Sequence, residues 1–485
     1  MAHIKNCASL ESICLKLRYF RAEGSTPLKL AASATPVVND RREIFGWMMY
    51  DWANSAFATT VAGVLLDPYL TKLAQHTVGT NGVVLSLGPL GAITAKAFFR
   101  FAVSISVLLQ VFTLPVLGAI GDYSRHKKHL MVLLCYIGVT ATCLFYFVTG
   151  DRYLWGALLF IIANLSFGAT IVLYNSYLRE ICSEEQSDKV SSRGFALGYV
   201  GGGLLLAMNL ALVEAARAGL LKINAGTAVR ISLLTAGVWW GGFALLTFAR
   251  LHNRIPSRGA PTGKSYLTAG FLELAATWRE LISLPHTLKF LAAYLLYNDG
   301  VQAVISNASV FLSQELFTPQ QRDAGADTAF TMKVILMVQF VAFAGALLFE
   351  WVASRTGTKP AIVASLVIWC GIVIYAWGFL RTTGQAFLMA AVIAIVLGGS
   401  QALSRSLFSR MTPAGYESSF FGLYEISERG TSWIGPLMFG LVANVYGNYR
   451  MAILTLIVLF VTGTFILVRT DTDRAIFEAA ARRPK

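Results

Sequence analysis

Residues 97–128 read AFFRFAVSISVLLQVFTLPVLGAIGDYSRHKK. Up to Gly121 the only charge is Arg100, and the run is long enough to cross a bilayer as a helix, which takes about 20 apolar residues. It then stops at an acid, Asp122, followed by Arg125, Lys127 and Lys128. A long apolar helix that ends in a burst of charge is a membrane span meeting water. Similar runs recur near 46–70, 129–149, 153–177, 194–216, 230–250, 287–312, 331–353, 360–380, 385–408, 419–443 and 451–469. With the first stretch they make twelve. Barrel strands would be about 10 residues long and alternate in polarity, whereas these runs are continuous, so helices are the expected spanning element.

Composition agrees. Of 485 residues, 55% are hydrophobic and 14% charged, against roughly 25% charged in soluble domains, and the mean hydropathy is +0.59. A soluble globule of this size would lack charge to cover its surface. The same apolar content excludes a disordered chain.

The formal charge of +14 would suggest nucleic acid on a soluble protein. Here its placement matters more. With both termini and every second loop on one side, that side holds 28 Lys and Arg against 11 on the other, and Arg429 falls inside a span. By the positive-inside rule, both termini are expected in the cytoplasm. The excess is then a record of topology, and no nucleic-acid partner is expected.

The expected organisation is a disordered cytoplasmic tail over 1–42, a six-helix bundle over 43–250, a cytoplasmic linker over 251–286, a second six-helix bundle over 287–470 and a cytoplasmic tail over 471–485. In the linker, Leu267, Phe271, Leu274, Trp278 and Leu281/Ile282 recur at helical spacing. They predict an amphipathic helix lying on the membrane surface.

The two bundles read as repeats. Tyr50-Asp51-Trp52-Ala53-Asn54 in the first run has a counterpart in Tyr297-Asn298-Asp299-Gly300 in the seventh. Gly118 to Lys128 has a counterpart in Trp351-Val-Ala-Ser354-Arg355-Thr-Gly357-Thr-Lys359, with Ser354 at the place of Asp122. Two six-helix halves in parallel repeat match the architecture of major facilitator transporters. The fold expected is therefore all-α, polytopic, with twelve transmembrane helices.

Gly118-x-x-x-Asp122 followed by Arg125, Lys127 and Lys128 resembles that superfamily's loop motif. A glycine lets helix ends approach, and an aspartate there can bind a basic or helix-terminal partner on the other half. Such a tie would gate the rocking of the halves. The second copy, with Ser354, is expected to gate more weakly.

Ionisable groups within spans are expensive and usually functional. Asp51 lies near the terminus-bearing end of the first run, Asp299 near the middle of the seventh, and Glu425, Glu428 and Arg429 within the eleventh. Asn54, Tyr297 and Gln302 flank them. If Asp299 and Glu428/Arg429 converge, they form a site for a zwitterion, an acid meeting an ammonium and a guanidinium meeting a carboxylate. Arg405, ending the tenth run, is expected to snorkel or to lock the terminus-bearing side. All six histidines lie in tails, loops or helix ends, so a coupled proton would fall to Asp51, Asp299, Glu425 or Glu428. Gly194, Gly198 and Gly201 to Gly203 predict close packing or bending of the fifth helix. Six cysteines show no CxxC pair. No metal-ligand set, nucleophile–base pair or nucleotide fingerprint is seen, so neither a cofactor nor an enzyme activity is expected.

Gly398-Gly399-Ser-Gln401-Ala-Leu403-Ser404-Arg405-Ser406-Leu-Phe408, then Pro413 and Phe420-Phe421-Gly422-Leu-Tyr424, resembles the hallmark of the autophagy-related vacuolar effluxer family of major facilitators. Tyr50 to Ala56, Gly194 to Gly202 and Tyr297 to Gln302 are similar to its helices 1, 5 and 7. The matches span roughly 43–470. The resemblance implies a secondary transporter, with amino acids as candidate solutes, since fungal members are described as exporting them from the vacuole. The family usually has a small residue and a lysine near Ser427-Glu428-Arg429; a glutamate and an arginine stand here instead. Short exterior loops favour a prokaryotic-type member of the bacterial inner membrane, acting as a monomer. The expected function is alternating-access transport of a small polar or zwitterionic solute, with protons as a candidate coupling ion. The competing readings are a transporter of organic acids or other metabolites and a non-transporting receptor or scaffold on the same fold.

Overall fold

The apolar runs fold as helices where the sequence calls for them. A computed structural model of the chain describes residues 38–86, 92–254, 256, 266–430 and 434–482, the side chains of 266–273 and 429–430 excepted. Span 1 is Arg41–Ala56, continued by a π-helical segment, Phe57–Leu65, and by Leu66–Val78. Spans 2 to 6 are Phe98–Tyr123, Lys127–Leu144, Tyr153–Ile181, Glu184–Arg217 and Ala225–Arg250. Spans 7 to 10 are Pro285–Leu316, Ala326–Thr356, Thr358–Gly378 and Thr383–Arg410. Span 11 is Glu417–Glu425, a π-helical Ile426–Gly430 and, after residues outside the description, Ile434–Tyr446. Span 12 is Tyr449–Thr455 with Ile457–Val468.

Among the described residues nine helices are long and apolar enough to cross a bilayer on their own. Spans 1, 7 and 11 are not among them. These are the spans that carry Asp51, Asp299 and the Glu425/Glu428 pair, and two of them contain π turns, which recur at functional sites.

The apolar core falls into two main clusters, as expected of two halves, with a small third of Val213, Ala216 and Ala228. One runs from Ile44 to Leu251. The other runs chiefly from Leu281 to Ala475, joined by Leu114, Ala169 and Val172 from the first half. Large apolar side chains such as Phe112, Leu133, Val367 and Phe465 are exposed, as a lipid-facing surface requires.

Between the halves, Tyr266–Ile282 is the expected linker helix. Leu281 on it is buried, while Trp278 and Ile282 are exposed. Leu267 and Phe271 of the predicted stripe have side chains outside the described residues. The linker's start is pinned to span 1: buried Glu43 accepts hydrogen bonds from Arg254 Nη2 at 2.6 Å and from the His252 backbone N–H at 3.0 Å. The tail expected over 471–485 contains a helix, Thr472–Ala481, started by Asp471, whose side chain accepts from the Arg474 N–H. The tail expected over 1–42 lies outside the described residues up to Val37. An antiparallel hairpin, Val83–Ser86 with Ala92–Thr94, adds a little β-structure between spans 1 and 2.

Candidate functional site

A cavity of about 480 Å³ lies on the seam between the two halves, within the usual size of a small-molecule site. Its wall is built largely by the interrupted spans. Phe57, Ala58, Thr59 and Ala62 come from the π segment of span 1, and Tyr424, Glu425 and Glu428 from span 11. Of the predicted residues, Asp51, Asn54, Gln302, Glu425, Glu428 and Arg405 all line it. Glu425 accepts from Asn175 Nδ2 at 2.9 Å, and Tyr294 OH donates to Glu428 Oε2 at 3.2 Å. Tyr294 and Tyr424 stack with centroids 4.2 Å apart.

Arg405 forms the floor. It is 3% exposed, which rules out snorkelling. A guanidinium has five N–H donors, and here all five act. Nε donates to Ser191 Oγ at 2.9 Å, Nη1 to Asp51 Oδ1 at 3.4 Å and Asn175 Oδ1 at 3.3 Å, and Nη2 to Asp51 Oδ2 at 3.0 Å and the Ser191 carbonyl at 2.9 Å. Every acceptor belongs to the first half. The rings of Phe195 and Trp47 lie 4.2 and 4.8 Å from the guanidinium carbon, adding cation–π attraction. Asp51 is thus no interfacial helix-end residue but one partner of a buried pair that joins the halves.

The hydrogen bonds and ion pairs that join the halves gather at the terminus-bearing end. Asp122 accepts from the Ser418 and Ser419 backbone N–H groups at 2.6 and 2.8 Å, and from the Ser419 hydroxyl. These are the first turn of span 11, which has no side-chain cap of its own. Asp122 therefore caps a helix of the opposite half, where the unpaired N–H groups and the helix dipole favour an anion. Gly118 makes this possible, because a Cβ there would press into the Ser418 carbonyl. Lys127 pairs with Glu180 at 2.8 Å within its own half. Arg125 is exposed and Lys128 half-buried, so the basic cluster does not itself reach across.

The second-half copy is built differently. Ser354 is exposed and donates to the Trp351 carbonyl of its own helix. Its place is taken by Asp188 of span 5, which accepts from Thr358 Oγ1 at 2.6 Å, from Arg410 Nη2 at 3.2 Å and from the Ser406 hydroxyl. The tie there takes its acid from span 5 rather than from the repeat of Asp122.

Asp299 and Tyr297 do not line the cavity. Asp299 is fully buried, and its Oδ2 accepts the Gly435 N–H at 2.7 Å, holding the restart of span 11. Tyr297 OH shares a 2.7 Å hydrogen bond with Ser404 Oγ. The zwitterion site expected from Asp299 with Glu428/Arg429 is therefore not assembled: Asp299 is turned to the restart of span 11, Glu428 to the cavity, and the Arg429 side chain lies outside the described residues. Depth along a helix is readable from sequence, but the face is not. The sequence reading also missed amides that line the cavity, among them Gln110, Asn164, Asn175, Gln339 and Gln401. Their signal is present, since each interrupts an apolar run, but a neutral amide stands out less than a charge. Gly194 and Gly198 behave as expected, packing span 5 against Asp51 of span 1.

Two halves of six spans around a polar seam define the major facilitator fold. Over 89% of this chain and 100% of that one, the structure resembles the FucP transporter solved in the outward conformation, with a TM-score of 0.64 and 14% identity. A family model described as "Vacuole effluxer Atg22 like" matches residues 39–187 and 180–480, and the chain belongs to that family. It is 28% identical to the uncharacterized MFS-type transporter YxiO of Bacillus subtilis (strain 168), over 88% of this chain and 95% of YxiO. It is 25% identical to autophagy-related protein 22-1 of Penicillium rubens, over 91% of this chain and 92% of that protein. The protein is an integral, multi-pass membrane protein of a transporter superfamily, a class defined by moving solutes rather than by catalysis.

Proposed function

We propose that the chain is a secondary active transporter that carries a small polar or zwitterionic solute by alternating access, with amino acids as the first candidates and efflux as the direction. The observation that carries this reading is the polar seam cavity, whose floor is tied to both halves. Amides, hydroxyls and aromatic faces on its wall suit a hydrogen-bonding solute. The ties at the terminus-bearing end support a state closed on that side and open on the other, and the positive-inside bias makes the closed side cytoplasmic. On this reading the protein works as a monomer in a bacterial inner membrane. If protons drive it, Asp51, Glu425 and Glu428 are the cavity carboxylates available to carry them.

The test is reconstitution in liposomes, with counterflow measured for amino acids, dipeptides and organic acids under an imposed proton gradient. Saturable counterflow of one of these classes is expected. Absence of counterflow for every polar solute, in protein that is folded and oriented, contradicts the reading.

A further inference from the structure

We infer that Arg405 is an exchangeable latch: a carboxylate on the transported solute takes the place of Asp51 on the guanidinium and thereby removes one of the ties that hold the terminus-bearing end closed. This rests on the transporter reading above and adds a chemical requirement to it, that the solute bear a carboxylate.

Arg405 lies on span 10, and all five of its donors are spent on first-half acceptors. No donor remains for a solute unless one of these acceptors leaves. Among them, only Asp51 is a carboxylate, and it grips two nitrogens with its two oxygens at 3.0 and 3.4 Å. Any free carboxylate can reproduce that grip. The pair is also reachable, since Asp51 and Arg405 both line the cavity. The guanidinium would stay in place during exchange, held by the Ser191 hydroxyl and carbonyl and flanked by the rings of Phe195 and Trp47.

The exchange explains how a buried pair can serve as a gate. Removing one partner of a buried pair outright leaves an uncompensated charge and is strongly unfavourable. Replacing it with another carboxylate leaves Arg405 paired throughout, and the displaced Asp51 faces the cavity it lines. The halves lose their two-point tie at span 1, because the new partner is not attached to the first half. Gly194 tunes the latch. A Cβ at that position would lie 2.6 Å from Asp51 Oδ2 and 3.1 Å from Arg405 Nη2, so only glycine lets span 5 pass this close to the pair.

The test is equilibrium binding to the purified full chain in nanodiscs. The probes are the proteinogenic amino acids, each paired with its amide, in which the carboxylate is replaced by a neutral group of similar size. At least one amino acid is expected to bind the wild type, and its amide at least tenfold more weakly. Asp51→Asn removes the internal competitor, so it should bind that amino acid at least tenfold more tightly and the amide no more tightly. Arg405→Gln should abolish the distinction between acid and amide. If Asp51→Asn does not fold, Gly194→Ala, which crowds the carboxylate without deleting it, should shift affinity in the same direction. Equal binding of acid and amide, or no tightening in either variant, overturns the latch. So does failure of every amino acid and simple organic acid to bind while uptake of a neutral polar solute persists, which would leave the transporter reading standing. Loss of all solute uptake from the wild type would instead remove that reading.

Discussion

Two of the ties that close the terminus-bearing end of the seam solve one problem with different chemistry. At the first, Asp122 in the last turn of span 2 caps the start of span 11 through backbone N–H groups. At the second, where the repeat would put Ser354, the acid has moved to Asp188 on span 5, and its partners are Thr358, Ser406 and Arg410. The carboxylate comes from the first half both times, as it does at Asp51. The repeat has preserved an inter-half tie at the site without preserving the residue. The two also differ in setting. Asp122 is 7% exposed and its hydrogen-bond donors are neutral, while the side chains of Asp188 and Arg410 are 21% and 16% exposed. A buried carboxylate on amide groups is insensitive to salt; a part-exposed ion pair is screened.

The largest effect is expected from Asp122→Ala. It leaves two buried N–H groups and a hydroxyl without their acceptor, so unfolding in mixed detergent micelles should show a loss of about 3 kcal/mol. Asp122→Asn should recover part of this, because an amide oxygen still accepts. Gly118→Ala comes next. It keeps the acid but drives a methyl group into the Ser418 backbone, with an expected loss of about 1–3 kcal/mol in the same assay. Asp188→Asn should cost about 1 kcal/mol. That loss should shrink on going from low to high salt, while the loss from Asp122→Ala should not change. Equal costs, or equal salt dependence, would erase the distinction between the ties. Smallest is Ser354→Asp, which restores the missing acid of the repeat. Because Ser354 is exposed and turned to its own helix, stability should stay within about 0.5 kcal/mol. A gain larger than that would mean the end of span 8, not span 5, is the natural seat of the second tie.

Much of this was legible before any coordinates, and what was not has a common cause. The twelve spans, the linker helix and the importance of Asp51, Asp122 and Arg405 follow from apolar run length and from the expense of charge in a membrane. The pairing of Asp51 with Arg405 does not, because the partners are 354 positions apart and meet only once helix rotation is known. Asp299 shows the same limit: its depth suggested a solute site, and its face makes it an anchor for the restart of span 11. Asp188 was hidden differently. It lies in the polar stretch that opens span 5, where an acid looks like ordinary solvated surface until Arg410 and Thr358 are brought beside it. The amides of the cavity wall were passed over because their cost in a membrane is lower than that of a charge.

The central claim is that the ties at the terminus-bearing end hold one of two states of the seam. The direct measurement is a distance distribution across that end, by double electron–electron resonance in lipid nanodiscs. Spin labels would be placed at His129 and Thr356, both exposed on that face, through unnatural ketone side chains that leave the native cysteines untouched. The account predicts one dominant short distance in the wild type and a second, longer population in Asp122→Ala. A transported solute should shift the wild type toward the same longer distance. A single distance that neither the substitution nor any transported solute alters would contradict it.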